Sequence, residues 1–175
     1  NGASTVEMAS GYATIENDGV YREPTCIRKI LDGNENVVIS NQSERDKRQI
    51  YEENAARTMT DILTGVLIRG TAAGRGLTNM PCAGKTGTTS DKKDGWFCGF
   101  TPYYTMAVWV GYDSPKTLNN LYGNTYPLTI WRTFMEEIHQ NLERKEFAGY
   151  EDLPGKKDSV ASEAPTEEPT EEPEF

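Results

Sequence analysis

The sequence predicts an α+β fold in which an antiparallel sheet is covered by helices. Two observations carry this prediction. Three short apolar segments follow one another between residues 82 and 112, and polar or proline-containing connections separate them, as in strands joined by hairpins. Segments with the spacing of amphipathic helices precede and follow these strands, so we expect helices to pack on the sheet.

The first two elements are predicted to be a helix and a hairpin. The helix begins at Ser4, which can form a capping box with Glu7, and it ends before Gly19. Residues 24–31 and 36–40 are rich in Ile and Val and surround an Asp-Gly-Asn sequence. This pattern indicates a hairpin with a turn-forming centre, which we expect at the surface.

A second helix is predicted from Glu52 to Ile68, before a glycine-containing stretch. Its apolar face is expected to comprise Ala55, Met59, Ile62, Leu63, Val66 and Leu67. The three strands are predicted at Cys82–Thr88, Gly95–Thr101 and Tyr104–Tyr112.

The closing helix is predicted to start at Pro127, because the fixed φ of proline suits a first helical turn. Its apolar face is expected to comprise Trp131, Phe134, Met135, Ile138 and Leu142. His139 is interpreted as an exposed residue of this helix, and Thr101 as an exposed residue of a strand.

Charge is concentrated near the C-terminus. The chain has 18 basic and 27 acidic residues, and residues 151–175 hold nine of the acidic residues and two lysines. Residues 148–175 have almost nothing apolar to bury, so we predict a disordered acidic tail rich in Pro, Thr and Glu, serving as a solvated spacer or as a docking segment. Residues 1–147 form the folded portion. The net charge of −9 argues against nucleic acid as a partner.

Neither a metal nor an organic cofactor is expected. The three cysteines form no Cys-x-x-Cys pair, and the single histidine has no nearby ligands in the sequence. Cys82 and Cys98 lie on strands that should pair, and a hairpin centred near Ser90 would bring them nearly opposite each other. Buried free thiols and a cross-strand disulfide both remain open.

The first strand carries the candidate chemistry. Side chains alternate along a strand, so Thr86 and Thr88 point to the same side, and Lys85 adds a cation beside them. Two hydroxyls and an ammonium can bind a carboxylate through charge-assisted hydrogen bonds. Gly87 leaves room for a ligand, and an unpaired backbone N–H of Thr88 would suit an oxyanion.

A wider pattern resembles the end of the transpeptidase domain of penicillin-binding proteins, specifically of the class A, bifunctional kind. The motifs that carry the resemblance are Gly84-Lys85-Thr86-Gly87-Thr88-Thr89, Asp94-Gly95-Trp96-Phe97-x-Gly99-Phe100-Thr101-Pro102 and Val108-Trp109-Val110-Gly111. The helices near residues 6–19 and 127–135 are also similar to those of the family. The resemblance covers residues 5 to 142 and implies a partial transpeptidase domain of the penicillin-binding and serine β-lactamase-like fold.

The resemblance also implies a reaction and residue roles. A serine attacks the D-Ala-D-Ala end of a peptidoglycan stem peptide, forms an acyl-enzyme and passes the acyl group to an amine, and β-lactam antibiotics imitate the dipeptide. Lys85 and Thr88 are the expected catalytic residues, with the Thr88 amide as half of the oxyanion hole. Thr86, Gly87, Thr88 and Trp96 are expected to contact the substrate. No metal or cofactor is needed.

Two motifs of that family are absent from the chain. Ser90-Asp91-Lys92-Lys93 fits Ser-x-x-Lys but follows the Lys-Thr-Gly strand, and Tyr122-Gly123-Asn124 is interpreted as a turn. Because the chain starts at Asn1 and not at Met, we expect it to lie within a longer protein whose upstream part supplies the nucleophile. That protein is expected at the extracytoplasmic face of the bacterial membrane, anchored by an N-terminal helix. The alternative is a catalytically silent or β-lactam-sensing module of the same fold.

Overall fold

The computed structural model describes residues 2–40 and 47–150. Within them the elements are, in chain order, α1 (Thr5–Glu16), β1 (Val20–Arg22), β2 (Lys29–Leu31), β3 (Val37–Ser40), β4 (Lys47–Gln49), α2 (Glu53–Ile68), β5 (Ala83–Thr88), β6 (Asp94–Phe100), β7 (Thr105–Gly111) and α3 (Tyr126–His139). The predicted α+β class is confirmed. The predicted tail lies, except for its first three residues, outside the described residues.

The main sheet has three antiparallel strands in the order β5-β6-β7. The two hairpins that connect them are short, as the sequence predicts, and each strand is within one or two residues of its predicted bounds. The predicted hairpin near the N-terminus forms between β2 and β3. A further antiparallel pair, β1 with β4, was not predicted, because its strands have three residues each and show no alternation of apolar side chains.

Helices pack on both faces of the main sheet. On one face, α3 contributes Leu128, Trp131 and Met135 to a core that includes Phe97 and Val108. Helix α2 contacts β5 and contributes Leu67 to the same core. On the opposite face, α1 contacts β6 and β7. The second core cluster, on that side, contains Leu63, Ala83, Phe100, Tyr12 and Ile15. Helices therefore cover both faces of the sheet, and β5 forms one of its edges, where no further strand pairs with it among the described residues.

The start of α1 and its end follow the predicted pattern. The Glu7 backbone N–H donates to the Ser4 hydroxyl (3.2 Å), and the Ser4 backbone N–H donates to the Glu7 carboxylate (2.7 Å), which completes the capping box. Gly19, just beyond the helix, has φ +80°. Glycine adopts this left-handed conformation without the strain that a side chain would bring.

The buried side of α2 differs from the predicted apolar face. Met59 and Ile62 are 42% and 56% exposed. The side chains that are buried belong to Ala56, Thr60, Leu63 and Leu67. Ala56 lies beside Tyr12 and Ile15 of α1, and the Thr60 hydroxyl donates to the Ala56 carbonyl within the helix (3.1 Å). Hydrophobicity alone therefore placed the centre of this face one residue too early.

The predictions for Thr101 and His139 are wrong, because both side chains are buried. The Thr101 hydroxyl accepts hydrogen bonds from the backbone N–H groups of Tyr103 (3.2 Å) and Tyr104 (3.1 Å). Its own proton is then available for His139 Nε2, 2.9 Å away, and His139 Nδ1–H donates to the Met135 carbonyl (2.6 Å). Both imidazole nitrogens form hydrogen bonds inside the protein. The polar ring can therefore be buried together with the apolar side chains of α3.

The register between β5 and β6 leaves the cysteines unbonded. Lys85 pairs with Cys98, so Cys82 lies beyond the paired residues and accepts a hydrogen bond from the Leu77 backbone N–H at Sγ (3.3 Å). The turn decides this register, since the Thr89 hydroxyl accepts from the backbone N–H of Asp94 (2.9 Å). The hairpin centre therefore falls after Ser90, and the three cysteines are free thiols.

Native-state labelling should separate these three thiols. Cys26 is exposed, Cys82 and Cys98 are buried, and burial raises the pKa of the Cys98 thiol to about 11. Because the thiolate is the reactive form, only Cys26 is expected to react with a maleimide at pH 7, whereas all three react after unfolding. Peptide mapping of labelled native and unfolded protein, both without reductant, measures this. A Cys82–Cys98 peptide that resists labelling after unfolding would contradict the register.

Candidate active site

Strand β5 is an edge strand, and its hydrogen-bonding pattern decides which backbone groups face outward. The Thr89 backbone N–H donates to the Asp94 carbonyl (3.0 Å), so this pair is hydrogen-bonded. Such pairs alternate along an antiparallel ladder. Gly87 and Lys85 therefore direct their N–H and C=O groups to β6, whereas Thr86 and Thr88 direct theirs to the open edge. The Thr88 N–H points away from the sheet.

Lys85 and Trp96 lie on the face of the sheet that α1 covers. Gly87 pairs with Trp96 and Lys85 with Cys98, and directly opposed residues share a face. The Lys85 side chain is exposed, and its ammonium donates to the Thr86 carbonyl at the open edge (3.0 Å). Thr86 and Thr88 share the opposite side of the strand. The Lys85 ammonium thus lies beside the edge of the strand. It contacts the backbone carbonyl of Thr86 and not a threonine hydroxyl.

Trp96 is half-buried beside a small cavity. Its ring is 6.4 Å from that of Trp109 between centroids, and Trp109 Nε1–H donates to the Asp94 carboxylate (3.0 Å). The cavity has a volume of about 270 Å³. Its lining comes from β5, β6, α1 and the residues before α1, and it includes Met8, Tyr12, Lys85, Thr86, Gly87 and Trp96. A ligand at the open edge of β5 would therefore find an apolar wall next to the Lys85 ammonium.

Two loops contact the threonine hydroxyls. The Thr71 and Thr86 hydroxyl oxygens are 2.7 Å apart, and the Gly123 backbone N–H donates to the Thr88 hydroxyl (2.9 Å). The loop that contains Gly123 lies directly on β5, because a Cβ at Gly123 would be 2.7 Å from the Gly87 nitrogen. Only glycine permits this approach. Sequence reasoning identified the hydroxyls on β5 but not the contacts that hold them.

The sequence contained signals for both loops. Thr71 follows α2 in a stretch that we predict as a loop, and Tyr122-Gly123-Asn124 is a predicted turn. The structure adds that the Asn124 side-chain amide donates to the Thr71 carbonyl (3.1 Å). Because these residues are 53 positions apart in the sequence, no local pattern reveals that the loops meet.

The Ser90-Asp91-Lys92-Lys93 sequence lies in the turn between β5 and β6. Lys92 has φ +53°, and the Lys92 backbone N–H donates to the Thr89 carbonyl (2.9 Å). A serine and a lysine in a tight turn do not have the one-turn helical spacing that lets a lysine activate a serine. Residues 2–40 and 47–150 contain no group of three or more His, Cys, Asp or Glu side chains able to hold a metal ion.

Solved structures define the class of protein to which this fold and edge strand correspond. PonA1 from Mycobacterium tuberculosis, described as a penicillin-binding protein, superposes with a TM-score of 0.74 and 27% identity over 85% of this chain and 42% of that one. Penicillin-binding protein 1A from Haemophilus influenzae shares the fold with a TM-score of 0.72 and 18% identity, over 88% of this chain and 28% of that one. The fold is that of a penicillin-binding transpeptidase.

The chain belongs to the penicillin-binding protein transpeptidase domain family, whose model matches residues 2–148. Penicillin-binding protein 1A of Clostridium acetobutylicum is 39% identical over 155 residues, which are 88% of this chain and 18% of that protein. Penicillin-binding protein 1A of Aquifex aeolicus is 34% identical over 143 residues, 81% of this chain and 19% of that protein. The predicted resemblance to the class A proteins is confirmed.

The chain spans about a fifth of the length of these curated relatives. Within the part of the chain that the structure describes, no helix has the length and apolar character needed to cross a bilayer.

Proposed function

We propose that this chain supplies one wall of the active site of a serine D,D-transpeptidase that cross-links peptidoglycan stem peptides. The wall is strand β5 with its Lys-Thr-Gly sequence, and the serine nucleophile belongs to sequence upstream of Asn1. Lys85 and Thr88 act in catalysis, and Thr86, Gly87, Thr88 and Trp96 contact the stem peptide or a β-lactam antibiotic. The observation that carries this proposal is the open edge of β5, where the Thr88 N–H faces outward and the Lys85 ammonium donates to the Thr86 carbonyl.

Each group on the strand has a role in acyl transfer. The serine oxygen loses its proton and bonds to the carbonyl carbon of the penultimate D-Ala, and the outward Thr88 N–H donates to the developing oxyanion. The bond to the terminal D-Ala nitrogen then breaks, and that nitrogen leaves with the proton that the serine gave up. The Lys85 ammonium stabilises the negative charge near the nucleophile. An acceptor amine attacks the carbonyl carbon of the acyl-enzyme, one amine proton returns to the serine oxygen as its bond to that carbon breaks, and the new amide bond completes the cross-link.

The threonine hydroxyls fit the carboxylate that both substrate and antibiotic carry. Thr86 and Thr88 lie on the same side of the strand, as their spacing predicts, and each oxygen is held by a neighbouring loop. A relative of this fold, PonA1, has been solved in complex with penicillin V. That complex supports a β-lactam as ligand of this site. No metal or organic cofactor takes part, because side chains and backbone amides suffice for this type of acyl transfer.

The location proposed for the protein follows from its substrate. Peptidoglycan is cross-linked outside the cytoplasmic membrane, so we place this domain on the extracytoplasmic face of a bacterial cell. Residues upstream of this chain would provide both the membrane anchor and the nucleophile. The part of the site described here then works only together with that upstream part.

Adduct mapping on the full-length polypeptide tests the proposal. Incubation with penicillin G should raise the intact mass by the mass of one penicillin, and peptide mapping should place the adduct on a serine upstream of Asn1. An adduct on Ser90 would contradict the assignment of the nucleophile. A folded polypeptide that forms no adduct would favour the catalytically silent scaffold, and reversible binding without acylation would favour a sensing module.

A further inference from the structure

The Thr86 and Thr88 hydroxyls are held from outside the sheet by two loops that contact each other. One loop follows α2 and contains Thr71, and the other precedes α3 and contains Gly123 and Asn124. The Asn124 amide donates to the Thr71 carbonyl (3.1 Å), which fastens one loop to the other. Both hydroxyls on β5 are therefore supported by a single hydrogen-bonded bracket.

Arg75 fixes the bracket to α3. Its guanidinium donates to the Asn124 carbonyl (3.3 Å) and to the Thr129 hydroxyl (2.8 Å). Arginine donates in a rigid fork, so two bonds to different loop and helix positions restrict where Asn124 lies. The contacts of Arg75 and Asn124 within the bracket thus join residues about 50 positions apart, and Gly123 also lies against the Trp96 carbonyl of β6.

The direction of the hydrogen bond at Thr88 is unambiguous. A backbone N–H can only donate, so the Thr88 oxygen accepts from Gly123. A hydroxyl has one proton, and within the described residues the Thr88 hydroxyl forms a hydrogen bond only with the Gly123 N–H, to which it does not donate. The Thr88 proton is therefore left for a group outside the strand.

The Thr86 hydroxyl can also donate to a ligand, because the Thr71 hydroxyl can supply the proton of the hydrogen bond between them. The two hydroxyls share one hydrogen bond of 2.7 Å, so one of their two protons lies between the oxygens and the other is free. When an anion binds Thr86, the Thr86 proton turns to the anion and the Thr71 proton fills the shared bond. Hydrogen bonds that follow one another in this way strengthen each other.

We propose that Thr71, held by Asn124, is a positioning residue that makes Thr86 a hydrogen-bond donor to the carboxylate of the ligand. The Gly123 N–H has the same effect on Thr88, so the Thr86 and Thr88 hydroxyls both donate to the ligand from the same side of β5. The bracket thus selects ligands with a free carboxylate over otherwise identical neutral ones. This inference rests on the proposed function, since it concerns the same site and the same ligands.

Acylation by penicillin G and by its methyl ester tests the inference in the full-length polypeptide. The ester keeps the β-lactam ring but lacks the negative charge, so its acylation should not depend on donors for a carboxylate. Thr71→Val is expected to lower the second-order acylation constant for penicillin G about tenfold and that for the methyl ester less than twofold. Thr71→Ser, which keeps the hydroxyl, is expected to restore the constant for penicillin G.

Two further variants make the result specific. Thr133→Val removes an exposed hydroxyl on α3, one turn beyond Thr129 and without a hydrogen bond to the bracket, and should change neither constant. Asn124→Ala loosens the Thr71 loop and should lower the acid-to-ester ratio in the same direction as Thr71→Val. It also answers the question by a second route if Thr71→Val does not fold.

The outcomes separate the inference from the function on which it rests. If unmodified polypeptide is not acylated by penicillin G, the proposed function is wrong and the inference falls with it. If it is acylated, and Thr71→Val and Asn124→Ala leave the acid-to-ester ratio unchanged, the function stands and the bracket has no role in selecting a carboxylate. A selective loss that serine reverses supports the inference.

Discussion

Replacing Lys85 with alanine in the full-length polypeptide is expected to slow acylation by penicillin G about 100-fold or more. The ammonium lies at the open edge of β5, 3.0 Å from the Thr86 carbonyl, on the edge whose Thr88 N–H is proposed to bind the oxyanion. Removing a positioned charge or proton-transfer group from an active site has effects of this size. Stopped-flow or mass-resolved measurement of the second-order acylation constant gives the result.

The matching control is Lys29→Ala. Lys29 is an exposed lysine on strand β2 of the separate hairpin, so its replacement removes the same charge from a strand outside the site. Its acylation constant should remain within twofold of the original. Because Lys85 is exposed, Lys85→Ala should keep the original melting temperature. Equal acylation by both variants would exclude Lys85 from the chemistry.

Replacing Trp131 with alanine is expected to lower the free energy of unfolding by about 3–5 kcal/mol. Its side chain is fully buried between α3 and the sheet, with its ring 5.0 Å from that of Phe97. Its Nε1–H donates to the Gly99 carbonyl (3.3 Å), so the substitution leaves a cavity and removes one hydrogen bond to β6. Urea unfolding followed by circular dichroism measures the change.

Phe134→Ala, one turn along the same helix, is the control for Trp131. Phe134 is 52% exposed, so Phe134→Ala should lower the free energy of unfolding by less than about 1 kcal/mol, because little buried apolar surface is lost. The comparison distinguishes burial from helix propensity, since both variants place alanine on α3. Similar losses for the two substitutions would show that α3 does not pack on the sheet through Trp131.

Helix and strand positions were predictable because they depend on local spacing. The capping box at Ser4 and Glu7, the proline start of α3 and the three strands of the main sheet all follow from patterns within a few residues. The faces that the helices bury were less predictable. In α2 the small residues Ala56 and Thr60 are buried and the larger Met59 and Ile62 are exposed, because close packing depends on size as well as on hydrophobicity.

Polar residues in the core explain the other differences. His139 and Thr101 are residue types that are common at protein surfaces. Here their side chains form a buried hydrogen bond with each other, although they are 38 positions apart in the sequence. A buried polar side chain is stable when its hydrogen bonds are formed inside the protein. The partner that makes this possible is not recognisable from either residue's neighbours in the chain.

The sequence by itself determined the family, the Lys-Thr-Gly strand and the shared orientation of Thr86 and Thr88, because side chains alternate in any strand. Only the tertiary structure decided that β5 is an open edge, that the Thr88 N–H faces outward, and that Thr71 and Gly123 meet the two hydroxyls. The physical reason is the distance along the sequence over which the residues interact. Alternation is a property of the backbone at each residue, whereas strand order, turn register and loop contacts depend on how distant segments pack together.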